Sequence, residues 1–191
     1  CELNHNTDSI SVPSNSGLIK KLPLMAALQQ VDKVINLAKV KTHMMTSFTC
    51  ATKNLYGCIP GFTKTKLHTH MDMNKFGRII IDAAEQVKPA LSIVDGIIGM
   101  QGQGPAGGEP KELGILAVGD NVYELDEVLA RIIGLDTSDI LYLQHALEKK
   151  LFTPNNMDIS PYRTDFTPAQ LMGIVRRMTK EYRQPSPLLE Q

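Results

Sequence analysis

The chain has 191 residues, 42% of them hydrophobic, enough to bury one core and more consistent with a single domain than with two. Its 20 Lys and Arg balance its 20 Asp and Glu, so no basic field covers the molecule to gather nucleic acid or an anionic membrane, and any anion site has to be local. No apolar run reaches the roughly 18 residues of a spanning helix, and no stretch reads as a secretion signal, so a soluble cytoplasmic protein is the simplest expectation. Cys1, Cys50 and Cys58 are odd in number and scattered, which argues against a disulfide framework and for a reducing compartment. The start at Cys1 rather than Met suggests an excised or processed piece of a larger protein.

Residues 1–22 read as a tether or edge, with only Ile10 to Val12 able to form a short strand. Pro23 ahead of LMAALQQV predicts a short helix ending before Asp32. Val34 to Val40 is β-branched and apolar, a strand suited to burial on both faces. Thr46 or Ser47 can cap a helix to about Tyr56, with Gly57 to end it; a polar hinge, FTKTKLHTHMD, follows. Asp72 or Asn74 caps a helix through Val87, stopped by Pro89. Ala90 to Val94 is the next strand, Gly96 to about Glu112 a glycine-rich loop, and Leu113 to Val118 a further strand. Asn121 or Asp120 caps the helix of VYELDEVLARIIG, which ends at Gly134. Thr137 or Ser138 starts another helix to about Lys150, and Thr167-Pro168 opens a last basic one, AQLMGIVRRMTKEYR. The order predicts a single α/β domain of three layers, a mostly parallel sheet with helices on both faces, with residues 137–191 as a helical extension of the 23–136 core.

In such sheets ligands sit at the carboxyl ends of the strands. The first long strand delivers Lys39, Lys41 and His43, which alternate and therefore share one face of an extended segment, a pattern that suits a phosphate or carboxylate. Lys53 and Asn54 close the following helix. Asp95 ends the second strand and opens the glycine run, whose Gly99, Gly102 and Gly104 allow backbone amides to wrap an anion. That run has neither the GxGxxG spacing of dinucleotide folds nor the GK[ST] ending of a phosphate loop, and a purely structural loop is the alternative. His68 and His70, with Asp72 nearby, have a spacing that could chelate a metal, against the plainer reading of surface histidines. Cys50 and Cys58 lack the spacing of a cluster or zinc ribbon and read as buried, inert thiols.

The pieces KVKTH, KNLYGCIPG with a following KTKLH, SIVDGIIGMQGQGP and LDEVLARIIGLD, in this order and spacing from about Asp32 to about Asp136, resemble the family called domain of unknown function 362. The resemblance includes the positions of Lys39, Lys41, His43, Lys64, His68 and Asp126, but not His70. Ala38 stands where the family often has proline, and Asn121 where its motif has a first aspartate, which puts in doubt any metal held by that acid. The resemblance implies an upstream α/β segment and, for many members, a ferredoxin-like cysteine segment that follows the domain. Three scattered cysteines cannot supply four thiolates, so no iron-sulfur cluster is expected within this chain.

The sequence thus predicts a protein that binds a small anionic or phosphorylated molecule at the sheet's C-terminal edge, with redox coupling through an iron-sulfur module outside this chain. His43, His68 and Asp95 are the catalytic candidates; Lys39, Lys41, Lys53, Asn54, Lys64, Gly99, Gly102, Gly104 and Asp126 are the ligand-binding ones. The alternatives are a non-catalytic module docking a partner such as a ferredoxin-like domain, and a metal-dependent enzyme built on His43, His68 and Asp95. No nucleic-acid or membrane partner is expected, and no serine-type triad can be assembled by spacing.

Overall fold

The computed structural model describes residues 8–70 and 72–169, with His68, Thr69 and His70 described by backbone alone. The expected last helix lies almost entirely outside these residues. An antiparallel ribbon of β1 (Ser9–Pro13) and β2 (Lys21–Met25) comes first. Pro23, expected to open a helix, sits inside β2, where a two-stranded ribbon tolerates a residue without an N–H; only a 3₁₀ turn, Ala26–Gln29, follows.

The main sheet has the order β4-β3-β5-β6, from β3 (Ile35–His43), β4 (Ser47–Thr49), β5 (Leu91–Gln103) and β6 (Gly107–Gly119). The α/β class stands. Within the sheet, β3 and β5 are parallel, whereas β4–β3 and β5–β6 are antiparallel. Strand directions differ from the expected mostly parallel sheet because the glycine-rich run is not a loop. It forms the upper halves of β5 and β6, a long hairpin paired as far as Gln103 with Gly107.

Five α-helices complete the described residues: α1 (Ala51–Asn54), α2 (Gly61–His70), α3 (Met73–Val87), α4 (Val122–Ile132) and α5 (Leu141–Glu148). The helix expected from Thr46 is instead β4, the single turn of α1 and a 3₁₀ turn at Leu55–Cys58. The polar hinge is helical too, as α2. Helix α3 is capped as expected, the Asp72 carboxylate accepting from Lys75 N at 2.8 Å, and its C-cap Lys88 takes a left-handed conformation before Pro89. Asn121 caps α4 through Tyr123 N and Glu124 N.

The strand alternation decides the layering. Asn36, Ala38, Val40 and Thr42 of β3, with Ser92 and Val94 of β5, are buried on the helix side, where α1 packs on β3 and β5 and α4 on β6. The opposite face carries Ile35, Leu37, Leu116 and Val118, all more than half exposed among the described residues. Strand β3 is therefore buried on one face rather than two, and the described helices cover one face of the sheet. The core fills the helix side with Phe48, Tyr56, Phe76, Ile79, Ile80 and Tyr142.

Candidate functional site

A cleft of about 470 Å³ opens where β3 hands over to β4 and α1. Lys39 and Lys41 reach it from β3, Thr49 from β4, Lys53 and Asn54 from α1, Lys64 from α2 and Asp95 from β5. One turn of helix has too little packing of its own to hold Lys53 in place. Asp126 of α4 supplies the anchor: its fully buried carboxylate accepts from Ala51 N at 2.7 Å, Thr52 N at 3.0 Å and the Tyr142 hydroxyl at 3.0 Å. Desolvation outweighs these hydrogen bonds and pushes the Asp126 carboxyl up to about 6. On the other side of α1, the Asn36 amide donates to Ala51 O, and Asn54 donates to Asn36 Oδ1 and Leu37 O, locking the helix onto β3.

The cleft is cationic. Lys39 is neutralised by Asp95 at 2.6 Å, an exposed pair, and the Asp95 carboxyl is held below its ordinary range by that Lys39 hydrogen bond and by Ile97 N. Asp95 was expected to be buried; it is 47% exposed, because it lies on the open face of β5, although its partner is one of those expected. Lys41, Lys53 and Lys64 have no carboxylate partner among the described residues. Burial first, then the Lys64 and Lys41 charges beside it, bring the Lys53 amine down from 10.5 to about 8. Its Nζ lies 5.8 Å from the Phe76 ring centroid, and Lys64 Nζ 5.8 Å from that of Tyr56. Thr49, also lining the cleft, is 8% exposed and its hydroxyl has no hydrogen-bond partner among the described residues.

Three of the lysines singled out in the sequence, Lys41, Lys53 and Lys64, therefore converge without a counter-charge. His43 does not join them. The ladder shifts register beyond Lys39, and His43 turns under the β3–β4 connection, 3% exposed, with Nδ1 accepting from Met45 N and Thr46 N. The side chain of His68 lies outside the described residues. The glycines do not form a cradle. Gly102 N donates to Thr167 O and its carbonyl accepts from the Thr42 hydroxyl, while Gly104 N donates to Gly102 O; Gly99 packs against Phe166. Asp126 supports α1 from behind and is not part of the cleft lining. Cys50 does line the cleft, but burial, with Asp126 beside it, pushes its thiol well up and keeps it protonated. Among the described residues no group of three His, Cys, Asp or Glu is placed to hold a metal ion. Thr49 and Tyr56 were not anticipated from sequence; Thr49 gave no signal at all, lying in a segment that reads as a helix start.

A larger cleft of about 580 Å³ runs between the edge of β6 and α4, lined by Leu125, Val128 and Ile132 with Asp120 and Glu124 but no basic residue. The charged residues picked out from sequence do not meet there.

With this geometry in hand, the comparisons are specific. The model of the family described as Domain of unknown function (DUF362) matches residues 1–131, from the amino terminus through nearly all of α4. The chain belongs to this family. The DUF362 match takes in every residue named above as lining the cationic cleft and also the Asp126 anchor. The chain is also 39% identical over 129 residues to the thylakoid-associated protein sll1697 of Synechocystis sp. (strain ATCC 27184 / PCC 6803 / Kazusa). That alignment covers 66% of this chain and 40% of the relative, so the chain spans well under half of that protein's length. No solved structure matches the chain. No helix among the described residues is long and apolar enough to cross a membrane.

Proposed function

We propose that this domain binds a small anionic molecule, carboxylate or phosphate, in the cleft of Lys41, Lys53 and Lys64. The observation that carries the reading is the gathering of three lysine ammonium groups in one cleft without a counter-ion among the described residues. Like charges brought together in a partly desolvated cleft are unfavourable on their own and become favourable when an anion sits among them. Asp95 and Lys39 at the rim neutralise one another and leave the interior positive. Redox coupling through an iron-sulfur module outside the chain rests on the family resemblance alone, and a cytoplasmic setting on the sparse cysteines. The metal-dependent alternative has less support, because His43 Nδ1 and Asp95 are each engaged elsewhere.

Titration calorimetry with inorganic phosphate and with malonate, at matched ionic strength, tests the reading. Saturable one-to-one binding is expected, weakened about tenfold or more by Lys41→Met and by Lys64→Met, the scale of one lost charge-assisted hydrogen bond. Binding of neither anion, or binding indifferent to these lysines, would contradict it.

A further inference from the structure

The three lysines of the cleft are not equivalent. Lys41 and Lys64 flank, whereas Lys53 rises from α1 with its amine near the fully buried Phe76 ring, held in position by the Asp126 and Asn54 contacts that fix that helix. Two flanking cations and one amine set against an aromatic ring match a ligand with an anionic end and an electrophilic carbon. We propose that Lys53 is a carbonyl-capturing amine, and that the cleft takes a small aldehyde or ketone bearing a carboxylate or phosphate. Lys41 and Lys64 hold its anionic end. This inference rests on the anion-binding reading above.

The chemistry balances without an added oxidant or reductant. The Nζ lone pair forms a bond to the carbonyl carbon as the carbonyl π electrons move onto oxygen. One proton passes from nitrogen to that oxygen, giving a carbinolamine. Loss of the hydroxyl as water, with a second nitrogen proton, leaves a C=N bond to Lys53, so amine plus carbonyl becomes imine plus water. Only the neutral amine starts this sequence. Its population is raised at Lys53 because burial and the neighbouring Lys64 and Lys41 charges lower its proton affinity.

The experiment is reductive trapping on the full chain at pH 7 with glyoxylate and sodium cyanoborohydride, with propanal as the uncharged control, followed by peptide mapping. Glyoxylate is expected to label Lys53 more than about tenfold over the exposed Lys20 and Lys149, as its larger neutral fraction requires, and propanal to label it far less. Glyoxylate labelling of Lys53 should fall in Lys41→Met and Lys64→Met. An unchanged thermal midpoint of both variants shows that the fold is intact. If phosphate binds by calorimetry and glyoxylate labels Lys53 no better than the exposed lysines, the imine proposal is overturned and the anion site stands. If phosphate does not bind and Lys53 is not preferred, both fall. Equal labelling of Lys53 by glyoxylate and propanal would overturn the anionic substrate class.

Discussion

Asp126 anchors the helix that carries Lys53 into the cleft, and its carboxyl carries a pH signature. Folding raises it from 3.8 to about 6. Between those values the folded chain binds more protons than the unfolded one, so its contribution to stability is fully present below about pH 4 and is lost as pH rises through about 6. A shift of this size corresponds to about 3 kcal/mol between pH 4 and pH 7. Denaturant unfolding across that range should show wild-type stability declining relative to Asp126→Asn by that order; parallel curves would refute the assignment. Because the Thr49 hydroxyl is unsatisfied, Thr49→Val should leave the thermal midpoint unchanged or raise it, and a drop in stability would show that the hydroxyl has an internal partner. Asp95, exposed and ion-paired with Lys39, should tolerate Asn with little change in the midpoint.

At the level of elements, the β5–β6 hairpin is held by close backbone approach at its tip. A Cβ at Gly104 would overlap the Thr42 carbonyl oxygen, so Gly104→Ala should lower stability by about 2–3 kcal/mol, measured by denaturant unfolding. Gly102, with φ +75°, takes the left-handed conformation next to it. The same hairpin shows where the sequence was hard to read: from Gly99 to Gly108 there is no β-branched residue, and those strand halves exist because they pair with each other, not because either half favours a strand. Helix α2 was hidden for a related reason, since it buries little beyond Leu67 and shows no apolar stripe. By contrast α3 and α4 were legible from Asp72, Asn121 and their apolar spacing, and β3 and the lower half of β5 from their apolar runs. In the site, the lysines could be found because they follow a strand or flank a turn. His43 was misplaced because alternation cannot foresee a strand turning back on itself, and Thr49 was missed because an orphaned hydroxyl is a property of packing, not of sequence.

Across the whole molecule, the sheet divides a core-facing side from an open one. Leu37, Ile93 and Val118 form one cross-strand row on the open side, and Lys39, Asp95 and Leu116 the next, so the charged rim of the cleft continues into an apolar surface. Substitutions on the two sides should differ sharply. Leu37→Lys should change stability by less than about 0.5 kcal/mol, whereas Ile80→Ala, fully buried behind the sheet, should cost about 2–5 kcal/mol. The cationic cleft is a local excess of positive charge in a chain of zero net charge, and locating a bound anion tests it most directly. Anomalous diffraction from crystals soaked in tungstate should place a tungsten peak among Lys41, Lys53 and Lys64, and that peak should vanish in Lys53→Met. Tungstate bound only outside the cleft, with the three lysines unoccupied, would contradict the account.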